Sequence, residues 1–195
     1  MDSQKLTSQI EFLREIDKMK SVLRQNWVIG NARREDDAAH SWHAAMMALT
    51  LSEYAKPTVN IDRAVRMLLV HDLVEIYAGD TPCFDKDVVE TQQAREALAA
   101  DRVEALLPDE QGKAYRALWE EFDKAETDDA QYAAAIDRLQ PLLLNYYTDG
   151  ASWKGRTVTR EQVYARNALT KEVLPALWAF VEFAVESCYK KGLLK

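Results

Sequence analysis

The sequence predicts an all-α fold: a single-domain bundle of about six to seven helices. Three observations carry that expectation. Gly (6) and Pro (5) are scarce in 195 residues, while the helix-favouring Ala, Leu, Glu, Arg and Lys are abundant. Apolar residues recur at three- and four-residue spacing over long stretches. Helix caps and stops fall where those stretches begin and end.

Ile10, Leu13, Ile16, Met19 and Leu23 set the period of a first helix. From Trp27 to Asp37 the pattern breaks, at Gly30-Asn31 and a charged stretch. A second helix is expected from Ala38 to Tyr54, closed by Pro57. Asn60 is a good N-cap for a third, Ile61 to Ala78, and Gly79 stands where a C-terminal glycine stops a helix. Asp80-Thr81-Pro82-Cys83-Phe84 reads as a loop. Further helices are expected from Asp87 to Leu107 (stopped by Pro108), Glu110 to Lys124, and Asp128 to Tyr147. After a loop at Asp149–Gly155, the capping box Thr159-Arg160-Glu161-Gln162 opens a last helix to about Tyr189.

The net charge of −7 argues against a nucleic-acid polymer as partner, because such proteins carry a broad basic surface. A small phosphorylated ligand needs only a few local cations. Cys83 and Cys188 form no CxxC pair, which fits a reducing cytoplasm. The N-terminus lacks the basic start and apolar run of a signal peptide, and no stretch has the length and apolarity of a membrane span.

The chemistry concentrates at Leu68-Leu69-Val70-His71-Asp72-Leu73-Val74-Glu75. A His-Asp pair in an apolar run costs several kcal/mol or more unless it is paired or binds a metal. Adjacent helical residues point about 100° apart, so both can reach one ion beside the helix, and Glu75 follows His71 by one turn. His40 and Asp137, on two other apolar segments, complete a set of two imidazoles and two carboxylates. That set suits one divalent ion (Co, Mn, Fe, Zn or Mg) with open positions, and the absence of thiolates argues against a closed zinc site. His43, one turn from His40, is a rival ligand by position and reads rather as a supporting or core histidine. Asp137 lies on an apolar stripe with Ala133, Ile136 and Gln140, and Pro141 deprives the Asp137 carbonyl of its helical partner. The run Arg33-Arg34-Glu35-Asp36-Asp37 reads mainly as a solvated charge cluster, and Trp27 by spacing alone as a core aromatic.

The spaced pattern His40 … His71-Asp72 … Asp137 resembles the HD superfamily of metal-dependent phosphohydrolases, which are all-helical. The fuller run His71-Asp72-x-x-Glu75-x-x-x-Gly79-Asp80-x-Pro82, with Arg24-x-x-Trp27 and Glu35 before His40-Ser41, resembles the 5′-deoxynucleotidase branch. Leu107-Pro108 and Leu118-Trp119-Glu120-Glu121-Phe122 add to the likeness, which covers about Leu13 to Tyr147. The C-terminal helix is not diagnostic.

The resemblance implies one HD phosphohydrolase domain over residues 1–195, with His40, His71, Asp72 and Asp137 as metal ligands. It implies Glu75 as the catalytic acidic residue and Asp80 as a residue near the substrate sugar. Arg24 becomes the phosphate-binding arginine, with Arg33 a secondary candidate, and Trp27 an aromatic that disfavours a 2′-hydroxyl. The activity implied is hydrolysis of (deoxy)ribonucleoside 5′-monophosphates, 2′-deoxy preferred, by a homodimer. Departures are Ala39 where many relatives have an acidic residue, Gln25-Asn26 between Arg24 and Trp27, and an unmatched stretch from Asp149 to Arg160. Rival readings are another HD chemistry (cyclic nucleotide, alarmone or nucleoside triphosphate) and a non-catalytic metal-binding scaffold. Polyphosphate substrates need more cations than Arg24 and its neighbours offer, which favours a monophosphate.

Overall fold

The computed structural model describes residues 3–80 and 86–195. The expected loop around Pro82 and Cys83 lies outside them. The helical expectation holds, with more helical segments than anticipated, because three segments depart from their local periodicity.

The first departure is at the N-terminus. Helix α1 (Ser3–Ile16) passes through a 3-10 turn (Asp17–Ser21) into strand β1 (Leu23–Trp27) instead of continuing to Leu23. β1 pairs antiparallel with β2 (Arg34–Asp36), Leu23 opposite Asp36 and Trp27 opposite Arg34. The turn between them places Gly30 and Asn31 at φ 92° and 57°, a region both residue types tolerate. Pairing with a segment ten residues away is invisible to a helical period. The hairpin delivers the chain into α2 (Asp37–Thr50), which Asp36 caps by accepting from the Ala39 N–H at 2.9 Å.

The second departure is at the His-Asp pair. Helix α3 (Ile61–Val70), capped by Asn60, tightens into a 3-10 turn over His71–Val74 before α4 (Glu75–Ala78). A 3-10 stretch inside a helix commonly marks a functional position. Gly79, at φ 76°, ends the segment as expected. Then come α5 (Lys86–Leu106), α6 (Asp109–Lys124) and α7 (Asp128–Tyr147).

The third departure splits the last helix into α8 (Arg160–Arg166), α9 (Ala168–Val173) and α10 (Pro175–Lys190). Thr159 and Gln162 make the expected capping box. The Asn167 side chain then donates to the Val163 carbonyl at 2.9 Å, and Pro175, which has no N–H, forces a fresh start. Leu174, Val181 and Ala184 of this region are buried, so α10 largely covers its own core.

Helix α7 is the central element. Its alanines (130, 133 and 135), with Tyr132 and Ile136, pack on Ala44, Ala45 and Ala48 of α2 and on Ala64, Met67 and Leu68 of α3. Small side chains let these backbones approach closely, and the Tyr132 hydroxyl donates to the Ala48 carbonyl at 2.7 Å. Its second half, Leu139 and Leu142, packs on Trp153, Val158, Val163 and α10. His40, the His71 turn and Asp137 converge where α2, α3 and α7 meet. Among the described residues no helix is long and apolar enough to cross a membrane.

Candidate metal centre

Four side chains from three elements face one point. His40 Nε2 lies 3.0 Å from Asp137 Oδ1 and 3.7 Å from Asp72 Oδ2. His71 Nε2 lies 3.1 Å from Asp72 Oδ1 and 3.5 Å from Asp137 Oδ1, yet neither contact has hydrogen-bond geometry, so this buried nitrogen has no hydrogen-bond partner. The far side of each ring is fixed. His71 Nδ1 is 2.8 Å from the Leu68 carbonyl, and His40 Nδ1 is 3.0 Å from Gln140 Oε1. Both partners are acceptors, so each Nδ1 carries a proton, and each Nε2 faces the carboxylates either as an N–H or, with a cation bound, as a lone pair. Two nitrogen lone pairs against two carboxylates repel unless a proton or a cation lies between them. His40, His71 and Asp72 offer ligand atoms within 4.8 Å of one another, which can hold a metal ion. The residues therefore fit a divalent ion.

The electrostatics agree. Burial works to lower the His71 pKa, but the Asp72 charge and contacts with Asp137 override it and push it up to about 10. Burial works against the Asp72 carboxylate too, yet His71 and Arg24 hold it below the usual range. Burial and the charge of Asp72 push Glu75 up to about 11.

A family model described as HD domain matches residues 16–178. The chain belongs to the HD domain family. It is 31% identical to human 5′-deoxynucleotidase HDDC2 over 137 residues, 70% of this chain and 66% of that protein, just under two thirds of its length. The bovine 5′-deoxynucleotidase HDDC2 is 31% identical over 149 residues, 75% of this chain and 71% of the relative. A solved structure, described as a predicted metal-dependent phosphohydrolase from Magnetospirillum magnetotacticum MS-1, superposes with a TM-score of 0.92 at 45% identity. It covers 97% of this chain and 95% of its own. The HD match runs past Tyr147 into the C-terminal helices, which the sequence reading set aside.

Around the HD centre lies a cavity of about 400 Å³. His71, Asp72, Glu75, Asp80, Asp137 and Arg24 line it. Arg24 arrives as a counter-ion: its Nη1 sits 2.7 Å from Asp72 Oδ2 and 3.3 Å from Asp37 Oδ1. Burial lowers its pKa, but Asp72, Glu75, Asp137 and Asp80 raise it well above normal. Two expected residues do not join them. Arg33 is exposed and pairs with Asp36 Oδ2 at 2.7 Å, because the hairpin turn carries it outward. Trp27 closes β1 half-buried and is not among the cavity-lining residues.

Several residues escaped the sequence reading. Glu35 and Asp37, read as solvated, are buried, because the hairpin folds them inward. Burial and the charge of Asp72 push Asp37 up to about 7. Gln140 donates to Glu35 Oε1 at 2.7 Å and lies 3.1 Å from His43 Nδ1, so it ties both to His40. His43 thus stands behind the centre, as expected. Arg138, Arg156 and Arg166 also line the cavity, so the argument from too few cations falls. The one local signal was Arg138, next to Asp137 on the same helix.

Proposed function

We propose that this HD domain protein is a divalent-metal-dependent phosphomonoesterase. Its substrates are deoxyribonucleoside 5′-monophosphates, cleaved to nucleoside and phosphate, with the 2′-deoxy sugar preferred. The observation that carries the reading is the convergence of both imidazole Nε2 atoms on Asp72 and Asp137, with His71 Nε2 buried and without a hydrogen-bond partner. The relatives named 5′-deoxynucleotidase support the substrate class.

His40, His71, Asp72 and Asp137 would hold the ion. When bound, a divalent ion supplies Lewis-acid polarisation of a phosphoryl oxygen and a lowered water pKa. Burial and the charge of Asp72 favour the protonated form of Glu75, and we assign it as the proton donor to the leaving 5′-oxygen. Arg24, paired with Asp72 and Asp37 in the metal-free chain, is assigned to the phosphoryl oxygens. Asp80 lines the same cavity one turn beyond Glu75, and we assign it to the sugar.

The test is phosphate release from ribo- and deoxyribonucleoside 5′-monophosphates, with cyclic, pyrophosphate and triphosphate substrates beside them and a screen of Co²⁺, Mn²⁺, Fe²⁺, Zn²⁺ and Mg²⁺. Deoxyribonucleoside monophosphates should be cleaved fastest. Glu75→Gln should keep its metal and lose about 10²–10⁴-fold in kcat. Full turnover by that variant removes Glu75 from the chemistry.

The reading includes a homodimer. Trp42, Met46 and Leu49 lie on one row of α2 and are exposed, a surface better suited to a partner protomer than α10. Light scattering should give twice the protomer mass, and Trp42→Glu should lower it to one; a monomeric parent protein refutes this.

A further inference from the structure

Behind His40, on the side away from the cavity, runs a short chain of polar groups. Glu35 of β2, Gln140 of α7 and His40 of α2 are all buried, and the Gln140 side chain stands between the other two. Its Nε2 donates to Glu35 Oε1 at 2.7 Å and to His43 Nδ1 at 3.1 Å, so both amide hydrogens are used. Its Oε1 accepts from His40 Nδ1 at 3.0 Å. Among the described residues the Glu35 carboxylate makes no other hydrogen bond. Its Oε2 is without a partner and lies 3.9 Å from His40 Nδ1.

This chain has one workable direction. Glu35 Oε1 meets it as an acceptor, which turns Nε2 of the amide toward Glu35. Rotating the amide by half a turn would set two oxygens face to face and aim Nε2 at His40 Nδ1. With Nε2 on Glu35, the amide oxygen faces His40 and requires a proton on Nδ1. The neutral ring then has its lone pair on Nε2, the nitrogen that faces Asp137 and Asp72. His71 reaches the same state through the Leu68 carbonyl, 2.8 Å from its Nδ1. A backbone carbonyl cannot turn round, whereas a side-chain amide can, so the amide needs a third residue to hold it. That gives a use to a carboxylate whose burial is costly and which keeps a single hydrogen bond.

We infer that Glu35 and Gln140 are positioning residues of the metal centre: Glu35 fixes which way the Gln140 amide points, and the amide keeps a proton on His40 Nδ1, so that Nε2 is reserved for the ion. Neither residue lines the cavity, so both act through His40. The carboxylate behind the amide also raises the basicity of Nε2, as an outer carboxylate does for a ligand histidine. The inference rests on the metal-dependent reading for the ion, and is independent of which phosphoester is cleaved.

The experiment titrates Mn²⁺ into the full chain by calorimetry. Beside it, two-bond ¹H–¹⁵N spectra of the metal-free protein show whether His40 Nδ1 carries a proton. E35Q is nearly isosteric, and its new amide can donate as well as accept, so the Gln140 amide is free to turn. Its Mn²⁺ affinity should fall about tenfold, and its spectra should show a His40 form with Nδ1 bare, absent from the parent. E35Q/Q140E puts the carboxylate beside His40 and a donor behind it. That restores the direction, so the double variant should recover most of the lost affinity. A merely structural role makes the double variant at least as weak as E35Q, and that result overturns the inference. So does Mn²⁺ affinity of E35Q within twofold of the parent. If the double variant does not fold, the E35Q spectra decide: Nδ1 protonated throughout, as in the parent, overturns the inference. If E35Q loses Mn²⁺ affinity in this way but the parent releases no phosphate from any nucleotide, the positioning role stands and the proposed function fails.

Discussion

The two walls of the cavity treat charge in opposite ways. On the wall built by β1, α2 and the His71 turn, Arg24 is enclosed by carboxyl groups, with contacts of 2.7 Å to Asp72 and 3.3 Å to Asp37. On the wall built by α7 and α8, the nearest carboxylate oxygen to Arg166 is 3.9 Å away, and Arg138 has no ion-pair partner among the described residues. The same residue type therefore serves two ends. On the first wall a buried arginine is held by two carboxylates through its Nη1. On the second, half-buried Arg138 has no ion-pair partner among the described residues, and exposed Arg166 is held only loosely, 3.9 Å from Asp137. Position in the sequence does not separate these cases, whereas the neighbours within 4 Å do.

The contrast can be broken in the laboratory, most strongly at Arg24. Arg24→Met leaves Asp72 and Asp37 without their buried counter-ion and should cost about 3–5 kcal/mol in urea denaturation of the metal-free protein. A loss below about 1 kcal/mol, the usual range for an exposed pair, would make Arg24 no different from a surface arginine.

The pH dependence of metal uptake comes next. In the metal-free protein the His71 pKa stands at about 10, above its ordinary 6.5, so its protonated form is favoured in the fold. That contribution is fully present below about pH 6.5 and is lost as pH rises through about 10. A metal ion must displace the proton. Its affinity should rise about tenfold per pH unit between pH 7 and 9, with about one proton released per ion. Calorimetry in buffers of different ionisation enthalpy reads both quantities, and a flat profile would show that His71 enters the reaction already neutral. The smallest effect belongs to Arg33→Ala. Its exposed pairing with Asp36 predicts a change within about 0.5 kcal/mol in the same denaturation measurement.

Much of the fold was legible locally. Asn60 and Thr159 cap the helices they were expected to cap, and Gly79 stops its segment. These signals act within one helical turn, so no distant contact is needed to read them. The failures share the opposite property. Leu23 continues the apolar period of the first helix, but it pairs with Asp36 in a strand. Glu35 and Asp37 belong to a run of five charged residues that looks solvated, and the same hairpin buries both. Asn167 and Pro175 break the last helix at positions its periodicity passes over. In the site, His40, His71, Asp72 and Asp137 were legible because ligand-type residues stood out in apolar runs. Arg138 and Arg166 were not, since arginines on helices are ordinarily solvated.

By itself the sequence determined the helical class, most starts and stops, and the chemical types available to hold a metal. Those depend on spacing, capping atoms and the cost of burying a charge, all local to a few residues. Only the tertiary structure decided which charges are buried and which remain unpartnered. His40 meets Asp137 across 97 residues, and Gln140 meets Glu35 across 105. Such contacts are fixed by how α2, α3, α7 and the hairpin pack together. Packing sets distances, and distance decides whether an arginine is a buried counter-ion or keeps its donors free.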